Sequence, residues 1–233
     1  MPSKIITLLL VDDHAMFREG IRSLVEIHSD IKVVGEAATG RQAVEMAKTL
    51  SPNIVVMDIA MPSLNGVEAT HQILAHFPQS KVLILSAHSD DEYIKRAVSA
   101  GASGYLIKHT SSDILVSAIR EIHKGAKVFS PAVQDRLQAD RQQKPGASSL
   151  SEGNIPLLTS REIEVVQLIA EGKANKQVAA ELRISIKTVE KHRQNLMNKL
   201  KIHDTASLTR YAISEGIVES TSQTTTDQIN RKR

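Results

Sequence analysis

The first half of the chain alternates short apolar runs with amphipathic stretches. Ile5–Val11, Lys32–Ala37, Asn53–Asp58, Lys81–Ser86 and Tyr105–Lys108 are dominated by Ile, Val and Leu. They do not alternate apolar with polar positions, which is the pattern of strands covered on both faces in a parallel sheet. Between them, Ala15–His28, Arg41–Leu50, Val67–Phe77, Asp91–Ala100 and Ser112–Lys124 place apolar residues at helical spacing. Turn residues separate the pieces: Gly35 and Gly40, Ser51-Pro52, Asn65-Gly66, Pro78, Gly101 and Gly104. Strand followed by helix, five times over, predicts a doubly wound α/β domain with a parallel five-stranded sheet.

The texture changes after residue 125. Residues 134–154 are polar, contain Pro and Gly, and show no apolar period after Leu137. Pro131–Asp140 carries the pattern of a short helix, and Arg141–Ile155 reads as a flexible linker. From Leu157 to Val218 there are only helix signals. Thr159-Ser160-Arg161-Glu162 is a capping box, in which hydroxyl and carboxylate satisfy reciprocal orphan N–H groups. The helix it opens stops at Gly172, and three more are predicted at Asn175–Leu182, Ser185–Lys201 and Thr205–Glu215. The expected organisation is an α/β domain over 4–125, a linker over 126–154, and a small all-α four-helix domain over 155–218. A Ser/Thr/Gln-rich tail over 219–233 is expected to be disordered.

Composition narrows the function classes. A chain of 233 residues is about 1.6 average domains. It has no Cys, which excludes a disulfide scaffold, Cys-ligated zinc or iron–sulfur sites and a thiol nucleophile. No apolar run approaches the ~20 residues of a membrane helix, so no membrane partner and a cytoplasmic location are expected. Lys4 followed by Ile5–Val11 superficially resembles a signal peptide. It runs directly into Asp12-Asp13-His14 without a small-residue cleavage site, so it reads as a buried strand. The net charge of +3 is uninformative until it is divided. Residues 1–130 hold 13 Lys and Arg against 14 Asp and Glu, whereas residues 158–218 hold 10 against 7. The positive excess therefore lies in the helical domain, as nucleic-acid binding would require.

In parallel α/β sheets, ligands bind beyond the carboxyl ends of the strands. Here those ends carry Asp12 and Asp13 (first strand), Asp58 (third), Ser86 (fourth) and Lys108 (fifth). A lone Asp at a strand end is ordinarily a turn or cap residue; the combination is what carries information. Three uncompensated carboxylates repel one another and call for a cation. Mg²⁺ suits them, since it takes a few carboxylates, keeps waters and completes its shell with phosphate oxygens. That chemistry permits phosphoryl transfer onto Asp58 as nucleophile, with Mg²⁺ and Lys108 offsetting charge on the phosphoryl oxygens.

Val11-Asp12-Asp13-His14, Met57-Asp58-Ile59-Ala60-Met61-Pro62, Leu85-Ser86-Ala87 and Gly104-Tyr105-Leu106-Ile107-Lys108 together resemble the receiver domains of two-component response regulators, over about residues 4–125. The resemblance implies a flavodoxin-like fold, with Asp58 as phosphoacceptor. It implies Asp13 and Asp58 as direct Mg²⁺ ligands, Asp12 acting mainly through water, and Ala60 through its backbone carbonyl. Ser86 is similar to the switch hydroxyl that follows the phosphoryl group, Lys108 to its salt-bridge partner, and Tyr105 to the aromatic that changes rotamer with it. Packing on the fifth strand is the simpler role for Tyr105. His109 is a departure, since many receivers have Pro after the lysine.

In the second domain, Asn175–Leu182, Arg183-Ile184 and Ser185–Lys201 have helix-turn-helix spacing, with Ser185 as N-cap of the second helix. That helix is basic, and such a helix after a tight turn can enter a major groove. Leu158-Thr159-Ser160-Arg161-Glu162, Ala170-Glu171-Gly172, Asn175-Lys176, Ile184-Ser185 and Thr188-Val189-Glu190-Lys191-His192-Arg193 resemble the LuxR-type helix-turn-helix, over about residues 155–218. A receiver followed by this domain resembles the NarL/FixJ class of transcription regulators. The resemblance implies Glu190, Lys191 and Gln194 facing bases. It implies Lys173, Lys176, Lys187, Thr188 and Arg193 on phosphates, with Val189 packed inward. Ala174 departs from the Ser or Thr often found at its position.

The expectation is therefore a response regulator whose Mg²⁺-dependent phosphorylation by a sensor histidine kinase modulates homodimerisation and binding to duplex DNA, at an inverted-repeat operator. Duplex is favoured over single strand because Tyr211 is the helical domain's only aromatic. RNA polymerase is a further partner of this class. It is not expected to be a conventional enzyme; self-phosphorylation and slow autodephosphorylation are its only expected reactions. Two rivals stand beside this reading: a Mg²⁺-dependent phosphatase, which would need a cap insertion that is not visible, and a constitutive DNA-binding regulator whose receiver serves only to dimerise.

Overall fold

The computed structural model describes residues 5–87, 91–129, 133 and 158–219, with the side chains of Asp91 and Glu92 left aside. The chain divides into two compact units at Gly153/Asn154. The expected helix at Pro131–Asp140 (Val133 excepted), the rest of the linker beyond residue 129 and the tail beyond Glu219 lie outside the described residues. No described helix is long and apolar enough to cross a membrane.

The first unit holds strands β1 (Ile6–Val11), β2 (Ile31–Ala37), β3 (Ile54–Met57), β4 (Lys81–Ser86), β5 (Gly104–Ile107) and β6 (Val128–Phe129). Between them run α1 (Ala15–Val25), α2 (Gly40–Leu50), α3 (Gly66–His76), α4 (Asp91–Ser99) and α5 (Ser112–Lys124). The strands form one parallel sheet in the order β2-β1-β3-β4-β5-β6. The strand pleat explains why both residue parities are apolar. Leu9, Val11, Val55, Met57, Val82, Ile84 and Tyr105 bury against α2, α3 and α4 on one face. Ile6, Leu8, Leu10, Ile54, Val56, Leu83, Leu85 and Leu106 join residues of α1 and α5 on the other.

Two features differ from the sequence expectation. The sheet has six strands rather than five, because Val128 and Phe129 pair with Gly104 and Tyr105. A two-residue strand is too short to show a period, and residues 128–129 thus belong to the sheet rather than to the linker. Helix α1 ends at Val25 instead of His28. There the chain reverses through His28 N–H to Val25 carbonyl (3.1 Å) and Ile31 N–H to His28 carbonyl (3.0 Å) to enter β2.

The second unit contains α6 (Ser160–Ala170), α7 (Asn175–Leu182), α8 (Ile186–Leu200) and α9 (Thr205–Ser214) around a separate apolar core. The Thr159–Glu162 capping box forms as the spacing predicts. Glu162 Oε2 also accepts a 2.7 Å bond from Lys199 Nζ, which ties the end of α8 to the start of α6. Burial raises the Glu162 carboxyl, but the Lys199 and Thr159 bonds outweigh it and hold it below its ordinary value. Arg161 joins α6 to α7 by donating to Glu164 (2.7 Å) and to the Leu182 carbonyl (2.9 Å).

Gly66 opens α3 directly beneath the end of β3. A Cβ there would lie 1.8 Å from the Asp58 carbonyl oxygen, a backbone atom that cannot swing aside. Gly66→Ala is expected to lower the unfolding free energy by about 3 kcal/mol, the upper end of overpacking costs. A chemical denaturation midpoint equal to wild type would show that the loop yields.

Candidate functional site

The strand register sets the site. Val11 pairs with Met57, so the residues that follow them, Asp12 and Asp58, emerge side by side at the carboxyl edge. Their main chains are anchored there: Asp58 N–H donates to the Val11 carbonyl (2.8 Å) and Asp12 N–H to the Ala37 carbonyl (3.1 Å). Asp12 and Asp58 are each only 4% exposed, whereas Asp13 faces solvent. Lys108 follows β5, and its Nζ lies 2.7 Å from Asp12 Oδ2 and 2.8 Å from Asp58 Oδ2. It reaches both although His109 follows it, and the described residues contain no cis peptide. Asp58 Oδ1 accepts a bond from the Ile59 N–H (2.8 Å).

Burial pushes the Asp58 carboxyl up to about 6, against the opposing pull of the Lys108 ammonium. Burial also works against the Lys108 charge, but Asp58 and Asp12 outweigh it and raise the ammonium above its ordinary value. The ion pair thus keeps Lys108 cationic, while Asp58 remains a more basic carboxylate than a solvated one.

Three neighbours on the β1–α1 side complete the site without having been singled out by the sequence. His14 Nδ1 lies 2.8 Å from Asp13 Oδ1 and 3.2 Å from Asp12 Oδ1. The Arg18 guanidinium donates to the Asp12 backbone carbonyl. The Phe17 ring centroid lies 4.7 Å from Lys108 Nζ. Their signal was present only as position, two to six residues beyond Asp12, at the N-cap and in the first turn of the helix that follows the acidic pair.

The donor set suits a hard divalent cation. Asp12, Asp13, His14 and Asp58 each offer an atom, and all of these lie within 4.8 Å of one another. An octahedral Mg²⁺ with bonds near 2.1 Å places opposite ligands roughly 4.2 Å apart. Three carboxylates in that span fit it after a small contraction. Ala60 lies two residues beyond Asp58 in the half-buried β3–α3 loop. Ser86 ends β4, fully buried, and its carbonyl accepts the Lys108 N–H (2.8 Å). The Tyr105 ring is fully buried in the cluster shared with α3 and α4, which its packing role alone accounts for.

In the helical unit, Ser185 caps α8 as predicted, accepting the Thr188 N–H at 3.0 Å. Val189 and Leu196 are buried. Lys187, Glu190, Lys191 and Gln194 are exposed along α8, and Lys176 is exposed at the start of α7. Gln194 donates to Asn198 (3.0 Å), and the Thr188 hydroxyl pairs with Ser185 (2.8 Å). Lys173 and Arg193 are engaged within the domain. Lys173 meets Glu181 and, at 3.7 Å, Glu171; Arg193 donates to Thr205 (2.6 Å) and reaches Asn175 at 3.5 Å. Ala174 has no side-chain acceptor, so only half a capping box forms: its own N–H donates to Gln177 Oε1 (2.8 Å).

Comparison with known proteins agrees with both halves. The profile of response regulator receiver domains matches residues 8–120, and that of the LuxR family of bacterial regulatory proteins matches residues 156–212. Response regulator protein VraR of Staphylococcus aureus is 39% identical over 214 residues, covering 92% of this chain and 99% of VraR. Among solved structures, the response regulator ChrA of a heme-sensing two-component system is 33% identical with a TM-score of 0.50. That match covers 92% of this chain and 99% of ChrA. A LuxR-family response regulator from Aurantimonas sp. SI85-9A1 is 35% identical with a TM-score of 0.57, covering 60% of this chain and 99% of that one.

The Asp58 environment has a consequence for stability. Its folded value near 6 exceeds the ordinary 3.8, so the native state binds more protons between those two. Stability therefore falls as pH rises through that window and is level above it. Without divalent cation, Asp58→Asn is expected to stabilise the protein at pH 7.5 by on the order of 1–3 kcal/mol. The gain should vanish at pH 4, where wild-type Asp58 is protonated in the native state. Thermal unfolding of both proteins at the two pH values checks this, and a gain independent of pH would contradict it.

Proposed function

Because the chain belongs to the two-component response regulators that join a receiver to a LuxR-type DNA-binding domain, we propose that phosphorylation of Asp58 controls its binding to duplex DNA and thereby transcription. The observation that carries this reading is the buried Asp12–Lys108–Asp58 cluster at the sheet edge, on a chain whose second domain exposes a basic helix.

The phosphodonor is the phosphohistidine of a sensor histidine kinase. An Asp58 carboxylate oxygen attacks phosphorus, an O–P bond forms, and the P–N bond breaks. Its electron pair returns to the donor imidazole, which takes up a proton. Asp13, Asp58 and the Ala60 carbonyl would hold Mg²⁺ directly and Asp12 mainly through water, and the ion would offset charge on the phosphoryl oxygens. Lys108 turns its ammonium from Asp58 toward those oxygens. Ser86 follows as hydroxyl donor, and Tyr105 repacks with it. The aspartyl phosphate hydrolyses slowly, and the protein turns over no other substrate. Phosphorylation favours a homodimer, which suits an inverted-repeat operator.

On DNA, the exposed Glu190, Lys191 and Gln194 face bases, and Lys176, Lys187 and Thr188 meet phosphates. The engagement of Lys173 with Glu181 and of Arg193 with Thr205 favours holding the helices together as their main role.

Two outcomes test the proposal. Asp58→Asn and Asp58→Ala should abolish labelling by acetyl phosphate in Mg²⁺, and full labelling of either would remove Asp58 as acceptor. Lys191→Ala should relax base preference by about 1–3 kcal/mol at its position, whereas Lys176→Ala should weaken all duplexes alike and lower the salt slope by about 1. Equal losses on operator and random DNA for both variants would reject that division.

A further inference from the structure

Lys108 is held from three sides, and only two of them are carboxylates. Its side chain is 15% exposed, and its ammonium bonds to Asp12 and Asp58. The third neighbour is Phe17, from the first turn of α1 on the opposite side of the site, with its ring centroid 4.7 Å from Nζ. Phe17 is one of only three phenylalanines in the chain. It packs on the apolar cluster of α1 and α5, and it lines a small cavity with Asp12, Arg18, Val56, Asp58 and Leu85.

We propose that Phe17 is a positioning residue for phosphoryl transfer, acting through Lys108. This role rests on the phosphoacceptor reading of Asp58 and on the chemistry of an aromatic face. A ring attracts a cation through its quadrupole, most strongly where water is excluded. It does so without accepting a strong hydrogen bond. An ammonium has three N–H groups, and Asp12 and Asp58 take two. A third carboxylate in place of Phe17 would take the last and deepen the negative field around the acceptor. The ring holds the ammonium yet leaves one N–H for an incoming phosphoryl oxygen. It also lets Lys108 slide from Asp58 to that oxygen without breaking a bond on the Phe17 side. The ring thereby confines a long, rotamer-rich lysine at the mouth of the site, where His109 follows it.

The test separates ring from bulk. Phe17→Leu keeps an apolar side chain in the cluster and removes the quadrupole; Phe17→Tyr keeps the ring. With acetyl phosphate and Mg²⁺, Phe17→Leu should slow labelling of Asp58 by about three- to tenfold, as loss of a partly desolvated cation–π contact implies. Phe17→Tyr should stay within about twofold of wild type. Independently of labelling, Lys108 should react faster with an amine-directed acylating reagent in Phe17→Leu than in Phe17→Tyr, read by peptide mass spectrometry. Wild-type labelling in Phe17→Leu, or equal slowing and equal Lys108 reactivity in both variants, would overturn the role of the ring. A wild-type protein that is not labelled, or an Asp58→Asn variant that is, would instead overturn the phosphoacceptor reading.

Discussion

The receiver half is organised by the cost of placing two carboxylates side by side, almost out of water, at the ends of adjacent strands. Such charges are held only where they are paired and hydrogen-bonded. Here one ammonium bridges Asp12 and Asp58, and the Ile59 and His14 backbone N–H groups each satisfy an oxygen. Several other features follow from that constraint. The two strands must be in register, which the Val11–Met57 pairing provides. The loop after β3 must fold back tightly, which is why Gly66 lies against the Asp58 carbonyl. Lys108 must arrive from two strands away, and its N–H bond to the Ser86 carbonyl sets where it starts.

The helical half meets a different constraint with similar means. Its α8 helix must present an exposed polar face while fixed by few apolar contacts, since only Val189 and Leu196 along it are buried. Polar clamps supply the rest. Lys199 is bound at one end through Glu162, and Arg193 reaches the start of α9 through Thr205. These clamps consume charge that a count of basic residues would assign to DNA. Six of the segment's ten basic residues, Lys176, Arg183, Lys187, Lys191, Lys201 and Arg210, remain exposed, fewer than the count of basic residues suggests.

Strand ends and helix caps were legible in the sequence because they depend on local pattern. The apolar runs end at Asp12, Asp58, Ser86 and Lys108, and Thr159 and Ser185 mark helix starts within a residue of where they lie. Contacts between distant elements were not legible. Nothing in the spacing of Phe17 indicates a lysine ninety-one residues later, and nothing about Lys173 announces Glu181 as its partner. Strand β6 escaped for a related reason: two residues carry no period, and their strand character comes from the edge of β5.

The charge balance also indicates how a signal leaves the site under the proposed reading. A phosphoryl group carries about −1.5 to −2 charges where the Asp58 carboxylate carried one, and it joins a cluster whose buried carboxylates already share one ammonium. Lys108 cannot serve Asp12, Asp58 and the new oxygens equally, so a further donor must be recruited. The β1–α1 side is already committed: Arg18 bonds the Asp12 carbonyl, and His14 lies against Asp12 and Asp13. The hydroxyl of Ser86, fully buried at the end of β4, lies on the other side. Recruiting it pulls on the strand pair β4–β5, where Ile84 faces Tyr105. Because Tyr105 is packed without exposure among residues of α3 and α4, a shift there must be taken up by the helix packing. A close-packed core moves between discrete arrangements rather than yielding continuously, and that property turns a local change of charge into a two-state surface.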